Sequence, residues 1–263
     1  MITSASNTQV KKIIQLNKSA KARRREGLFV LEGRKLFCET PAELRRRVYI
    51  MESKKDEYGE LMDGSLEPEL VSDDVFRKMS DTQTPQGILT IAAMPSYSLA
   101  DLLGKGEGVP LILCLEDVQD PGNVGTMIRT AEGAGVTGIL MSSGTADVFQ
   151  PKVTRSTMGS IFRVPFVRTD QLRESVLSLK EKGIRTFAAH LKGENGCFDE
   201  SYTGPTAFFI GNEGNGLSPE MAELADTLIR IPMQGKVESL NASIAAALLM
   251  YEAERQRLHK LPS

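Results

Sequence analysis

The sequence predicts an α/β protein: a mostly parallel sheet with helices on both faces, preceded by a smaller α/β unit. Three observations carry this. From residue 111 onward, short apolar runs alternate with helical patterns, and that alternation builds parallel sheets. "LILCL" (111–115) is apolar without interruption, as suits a strand buried on both faces. Between the alternating part and what precedes it, "MPSYSLADLLGKGEGVP" (94–110) gathers glycine, proline and serine. The expected division is a domain over 1–95, a linker over 96–109 and a second domain over 110–263.

In the first domain, "TQVKKIIQLNK" places Val10, Ile13 and Ile14 at helical spacing. "LFVLEG" (28–33) reads as a strand closed by Gly33, and "RKLFCET" as a short helix stopped near Pro41. "VYIM" (48–51) and "GILTIAAM" (87–94) are strands, with a helix over "DDVFRKMS" (73–80) between them.

In the second domain, "LILCLED" leads into "QDPGNVGTMIRTAEG" (119–133), where a helix is expected to open at Asn123, with Gly125 in its first turn and Arg129 one turn on. "TGILMSS" (137–143) is a strand, "TRSTMGSIF" (154–162) a helix, and "RVPFV" (163–167) a strand. The amphipathic "TDQLRESVLSLKEKG" (169–183) ends in glycine. Strands over "IRTFAAHL" (184–191), "TAFFI" (206–210) and "LIRIPM" (228–233) follow, and "NASIAAALLMYEAERQRL" (241–258) is a long helix.

Composition bounds the function. The chain has 263 residues, 41% apolar and 25% charged, which fits a globular protein. Its longest apolar runs are too short to span a bilayer, and its N-terminus lacks the apolar core of a signal peptide. Cys38, Cys114 and Cys197 are odd in number and lack metal-ligand spacing, so reduced, buried thiols and a cytoplasmic location are expected, with no metal and no membrane partner. Net charge is −2, yet residues 1–50 hold twelve Lys/Arg against four Asp/Glu. That excess, with Arg23, Arg24, Arg25 and Arg34 in it, is either a solvated face or the footprint of a polyanion.

In open α/β sheets, ligands bind beyond the carboxyl ends of the strands. Three loops should meet there: "EDVQDPGNVG" (116–125), "GNEGNGLS" (211–218) and "IPMQGKVESLNAS" (231–243). Dense glycine lets backbone amides approach a ligand. Ser239 or Asn241 can cap the last helix, whose N-terminus favours an anionic group. Taken singly, Asn123 reads as a helix cap, Glu213 as a brace for its own loop, and His190 as a structural histidine near a strand end. No Gly-x-Ser-x-Gly elbow, Walker loop or dinucleotide fingerprint is present, and the two histidines, His190 and His259, have no metal-ligand partners at helical spacing. What remains is rich in amides and hydroxyls with one Arg and one Glu, a site suited to chemistry carried by a cofactor.

Together, "DPGNVGTMIRTAEGAGV", "FFIGNEGNGLS" and "IPMQGKVESLNASIAAALLMYE" resemble the three motifs of the SpoU (TrmH-like) RNA 2′-O-ribose methyltransferases. "RSTMGSIFRVP" (155–165) resembles the segment between the first two. The N-terminal "FVLEGRKLFCE" and "TQTPQGILTIA" resemble the ribosomal-protein-like substrate domain that often precedes the catalytic one.

This resemblance implies a C-terminal trefoil knot, a homodimer built on the knotted domain and its last helix, and S-adenosylmethionine as cofactor. It implies cofactor contacts at Gly211, Asn212, Gly214, Gly216, Ile231, Met233, Leu240 and Asn241. Arg129 is implied to activate the ribose 2′-hydroxyl; because guanidinium normally stays protonated, the expected role is to bind the adjacent phosphate and orient the hydroxyl, with either Arg129 or that phosphate taking the proton. Asn123 and Glu213 are expected to hold Arg129 and the loop, and Ser239 and Asn241 to shape the methyl-transfer pocket. The expected substrate is structured RNA bound through the basic first domain, ribosomal RNA ahead of transfer RNA. The rivals are a non-catalytic RNA-binding or assembly factor on the same fold, and a small-molecule transferase or nucleotide-binding protein.

Overall fold

The computed structural model describes residues 1–62, 64, 66–104, 106 and 108–258; His259 lies outside them. In chain order the elements are α1 (Thr8–Lys18), α2 (Ala20–Glu26), β1 (Leu28–Glu32), α3 (Arg34–Glu39), β2 (Arg45–Met51), α4 (Lys55–Gly59), β3 (Glu69–Val71), α5 (Asp73–Met79) and β4 (Ile88–Ala93). There follow β5 (Leu111–Leu115), α6 (Pro121–Gly133), β6 (Gly138–Ser142), α7 (Pro151–Thr157), β7 (Phe166–Thr169), α8 (Leu172–Glu181) and β8 (Arg185–Ala189). The chain ends with β9 (Asn195–Gly196), β10 (Thr206–Ile210), α9 (Pro219–Leu224), β11 (Thr227–Arg230) and α10 (Ala242–Leu258).

These elements form two compact units, Met1–Pro95 with Asp147–Phe162, and Ser96–Ala146 with Arg163–Ser263. The first is built on a four-stranded sheet ordered β1-β4-β2-β3, antiparallel except for the parallel β2–β3 pair. Side chains alternate faces along a strand. Accordingly Tyr49 and Met51 pack with Val10, Ile13 and Phe76, whereas Val48 and Ile50 pack with Phe37 and Tyr58.

The basic run Arg23–Arg25 lies in α2, capped by Ser19 and closed by Gly27 at φ 63°. "RRR" (45–47) begins β2. Residues 147–162 belong to this unit, where Phe149 and Phe162 pack on the Phe29 ring, and the helix expected over 154–162 breaks at left-handed Met158.

The second unit holds seven strands ordered β7-β6-β5-β10-β8-β11-β9, every pair parallel. Ile112, Cys114, Ala207 and Phe209 share one face with Leu172, Val176 and Leu179 of α8. Residues of the other parity are buried too: the Phe187 and Phe208 rings meet Tyr202, and α10 packs on α6 and β10. Residues 96–109, expected as a linker, start this unit instead, because Leu102 is fully buried against Gly138 at the start of β6. Cys114 and Cys197 are buried, and burial pushes both thiols up; Cys38 is exposed, against expectation.

Candidate functional site

β5 delivers the first loop. Asp117, just past its end, has φ 52°, an uncommon conformation for a residue with a Cβ. Its carboxylate accepts from Ser142 Oγ at 2.6 Å, and its amide donates to the same hydroxyl at 2.8 Å. Helix α6 opens at Pro121, two residues before the expected Asn123. Asp120 is the cap, accepting from the Asn123 amide at 2.8 Å, and Pro121 occupies the first position, where no N–H partner is needed. The Asp-Pro pair was the readable signal for this start.

The second loop follows β10. Asn212 and Gly216 exchange backbone hydrogen bonds of 3.0 and 2.9 Å, closing a tight turn. A Cβ on Gly211 would lie 2.1 Å from the Gly216 carbonyl carbon, so only glycine fits. Asn212 Oδ1 accepts from the amides of Gly214 (2.9 Å) and Asn215 (3.0 Å), and its Nδ2 donates to the Asp117 carbonyl at 2.9 Å. At the far end, Glu116 accepts from Ser218 N and Oγ, both at 2.7 Å, and Ser218 caps α9.

Glu213 joins this turn to the first loop. Its carboxylate accepts from the amides of Gln119 (3.0 Å) and Asp120 (2.9 Å) and from Asn123 Nδ2 (3.0 Å). Partial burial raises its pKa, but the hydrogen bonds from Asn123, Gln119 and Asp120 outweigh that. The group is held below the usual glutamate value and is ionised at neutral pH.

The third loop runs from β11 to α10. Asn241 Oδ1 accepts from Ser243 N (2.9 Å) and Oγ (2.6 Å), and its Nδ2 donates to Asn123 Oδ1 at 3.0 Å. Because a carboxylate only accepts, Glu213 fixes the Asn123 amide, which in turn fixes that of Asn241. One directional chain therefore ties all three loops. Between β11 and this chain, the backbone groups of residues 231–240 make no hydrogen bond among the described residues.

The expected residues do not all meet. Asn123, Glu213, Asn212 and Asn241 do. The Arg129 side chain lies exposed on α6 with no hydrogen bond or ion pair among the described residues, so Asn123 and Glu213 brace each other, the first loop and Asn241, and do not hold Arg129. Ser239 is exposed and bonds to none of the described residues; Ile231, Met233 and Leu240 are half-buried. His190 only shapes a turn, accepting from the Lys192 amide at 3.1 Å. The sequence reading missed Asp117, Glu116 and the cap Asp120.

Among the expected RNA-binding cations, Arg23 is a correction. It is 3% exposed, donating to Asp147 at 2.5 and 3.0 Å and to the carbonyls of Leu16 (2.5 Å) and Asn17 (3.1 Å). A guanidinium so enclosed holds the unit together and is closed to a polyanion. Arg24, Arg25 and Arg34 are exposed, Arg25 pairing with Glu26 at 3.0 Å.

Residues 110–251 match the SpoU rRNA methylase family, and residues 7–90 the MRM3-like substrate binding domain. The 23S rRNA (guanosine(2553)-2′-O)-methyltransferase RlmP of Bacillus subtilis (strain 168) is 33% identical over 250 residues, covering 95% of this chain and 97% of that protein. The AdoMet-bound rRNA methyltransferase from Sinorhizobium meliloti aligns with a TM-score of 0.85 at 30% identity, over 99% of this chain and 98% of that one. The SpoU methyltransferase AviRb from Streptomyces viridochromogenes, in complex with AdoMet, gives 0.85 at 28% identity, over 96% and 98%. With the three loops joined as described, the chain belongs to the SpoU rRNA methylase family.

Proposed function

We propose that this protein transfers a methyl group from S-adenosylmethionine to a ribose 2′-hydroxyl of ribosomal RNA. The observation that carries the reading is the Glu213–Asn123–Asn241 chain, which draws the three family motifs into one site. The residues fit the cofactor. The turn at Gly211, Asn212, Gly214 and Gly216 and the unbonded backbone of 231–240, with Ile231, Met233 and Leu240, offer donors and acceptors to a polar ligand. When bound, the cofactor supplies an electrophilic methyl group on a sulfonium.

The chain's own residues then have distinct tasks. Arg129 keeps its charge available for a substrate phosphate, because no carboxylate among the described residues pairs with it. Guanidinium stays protonated, so Arg129 orients the hydroxyl and its proton leaves to the neighbouring phosphate. Asn123, Glu213 and Asn241 are positioning residues, since their polar atoms are committed to one another. Ser239, open to solvent, shapes the acceptor side of the pocket.

The same reading assigns RNA binding to the first unit, with Arg24, Arg25 and Arg34 as contacts, and catalysis to the second, threaded as a trefoil knot. It also includes a homodimer through α10 and action in the cytoplasm. Exposed Ile244, Leu248 and Tyr251 with Phe198 line an apolar depression of about 450 Å³, the kind of surface a second copy covers.

The test incubates the protein with methyl-labelled S-adenosylmethionine and unmodified ribosomal or transfer RNA. Alkali-resistant label in ribosomal RNA, lost in Arg129→Ala, is expected. Label confined to transfer RNA overturns the substrate, and failure to bind the cofactor overturns the reading.

A further inference from the structure

A depression on the first unit gathers cations that the foregoing reading does not use. It has a volume of about 200 Å³ and is lined by Thr8 and Lys12 of α1 and Arg46 and Arg47 of β2, with Leu28 and Ile91 as apolar wall. Consecutive strand residues normally point to opposite faces. Two adjacent arginines reach one cavity here because β2 is irregular: Arg45 pairs with Ala92 and Arg47 with Ile91, leaving Arg46 as the extra residue of a bulge. Bulges re-aim side chains in this way.

Two of the three charges are paired and one is not. Arg47 donates to Glu69 at 2.9 Å and to Gln9 Oε1 at 3.1 Å, and Lys12 pairs with Glu26 at 2.6 Å. Arg46 donates only to the carbonyls of Glu43 (2.7 Å) and Arg45 (3.1 Å), and no carboxylate among the described residues pairs with it. Helix α1, 11 residues long, turns its N-terminal end to the same place with no acidic residue in its first turn. Aligned peptide dipoles make that end attractive to anions.

The geometry points to this depression as a phosphate-binding subsite for the RNA substrate, with Arg46 as its principal cation and the Leu28–Ile91 wall beside the adjoining sugar or base. The inference rests on the protein acting on RNA. Phosphate contacts set affinity and its salt dependence and leave the chemistry alone.

Filter binding of unmodified ribosomal RNA to the full chain, repeated across salt concentrations, tests it. Each phosphate contact contributes a fall in affinity of about 3-fold between about 50 and 200 mM salt. Arg46→Ala is expected to reduce the overall fall by about that factor, and Arg46→Lys to restore it. Thr8→Glu places a carboxylate at the helix start, which stabilises the helix. It is expected to weaken RNA binding while thermal stability holds or rises, a combination that lost folding cannot produce. S-adenosylmethionine affinity is expected to stay at the wild-type value in all three. Unchanged affinity and salt slope in Arg46→Ala and Thr8→Glu, with wild-type RNA binding intact, overturns the subsite alone. A wild-type protein that binds no ribosomal RNA overturns the subsite and the proposed function together.

Discussion

The Glu213 carboxylate and the Asn123 side-chain amide, 90 residues apart in sequence, meet at 3.0 Å. Through that contact the turn after β10 and the start of α6 become one structure, and Asn241 extends it to the last helix.

Replacing Glu213 with Ala removes the common acceptor of Gln119, Asp120 and Asn123. At an exposed site each lost hydrogen bond is worth about 1 kcal/mol or less. We expect S-adenosylmethionine affinity, read by calorimetry, to fall about 5-fold to 30-fold. With its pKa depressed in the folded state, ionised Glu213 stabilises the protein above its unfolded value, near 4.3. That contribution disappears as pH drops through the lower folded value. The stability difference between wild type and Glu213→Gln in urea should therefore be constant above about pH 5.5 and shrink on acidification below about pH 4.3.

Arg129→Ala should lower kcat by about 100-fold or more, the usual cost of a lost charge-stabilising donor. Single-turnover methylation measures it. Cofactor affinity should be unchanged, since Arg129 makes no bond to the loops assigned to the cofactor. A large loss of cofactor binding instead would place Arg129 in the cofactor site.

Gly211→Ala drives a methyl group into the Gly216 backbone, which cannot yield as a flexible side chain does. The turn must open, and cofactor binding should be lost while the circular dichroism spectrum of the fold persists. Retained affinity would show that the turn does not form the cofactor cradle.

Asp147→Ala leaves Arg23 buried without its carboxylate. Breaking a buried pair costs about 3–5 kcal/mol, which thermal or urea unfolding will read. The salt dependence of RNA binding should not change, the opposite of what the position of Arg23 in a basic run suggests.

Leu248→Asp or Tyr251→Asp places a charge in the apolar depression on α10. Analytical ultracentrifugation should show a monomer where the wild type sediments as a dimer. A wild type that is already monomeric overturns the dimer.

Sequence alone determined what depends on local pattern. Continuous apolar runs announced β5, β6 and β10, because a strand buried on both faces has no polar side to alternate with. Glycine-rich turns after β5 and β10 marked the candidate site, and the motifs announced the family. Only the tertiary structure decided which of these groups bond. Glu213, Asn123 and Asn241 are separated by 90 and 118 residues, and no periodicity encodes such pairings. Arg23 and Arg24 are neighbours in one basic run, yet one is enclosed and the other exposed, because a residue 124 positions away supplies the carboxylate. Charge is written in the sequence; its burial is set by what folds against it.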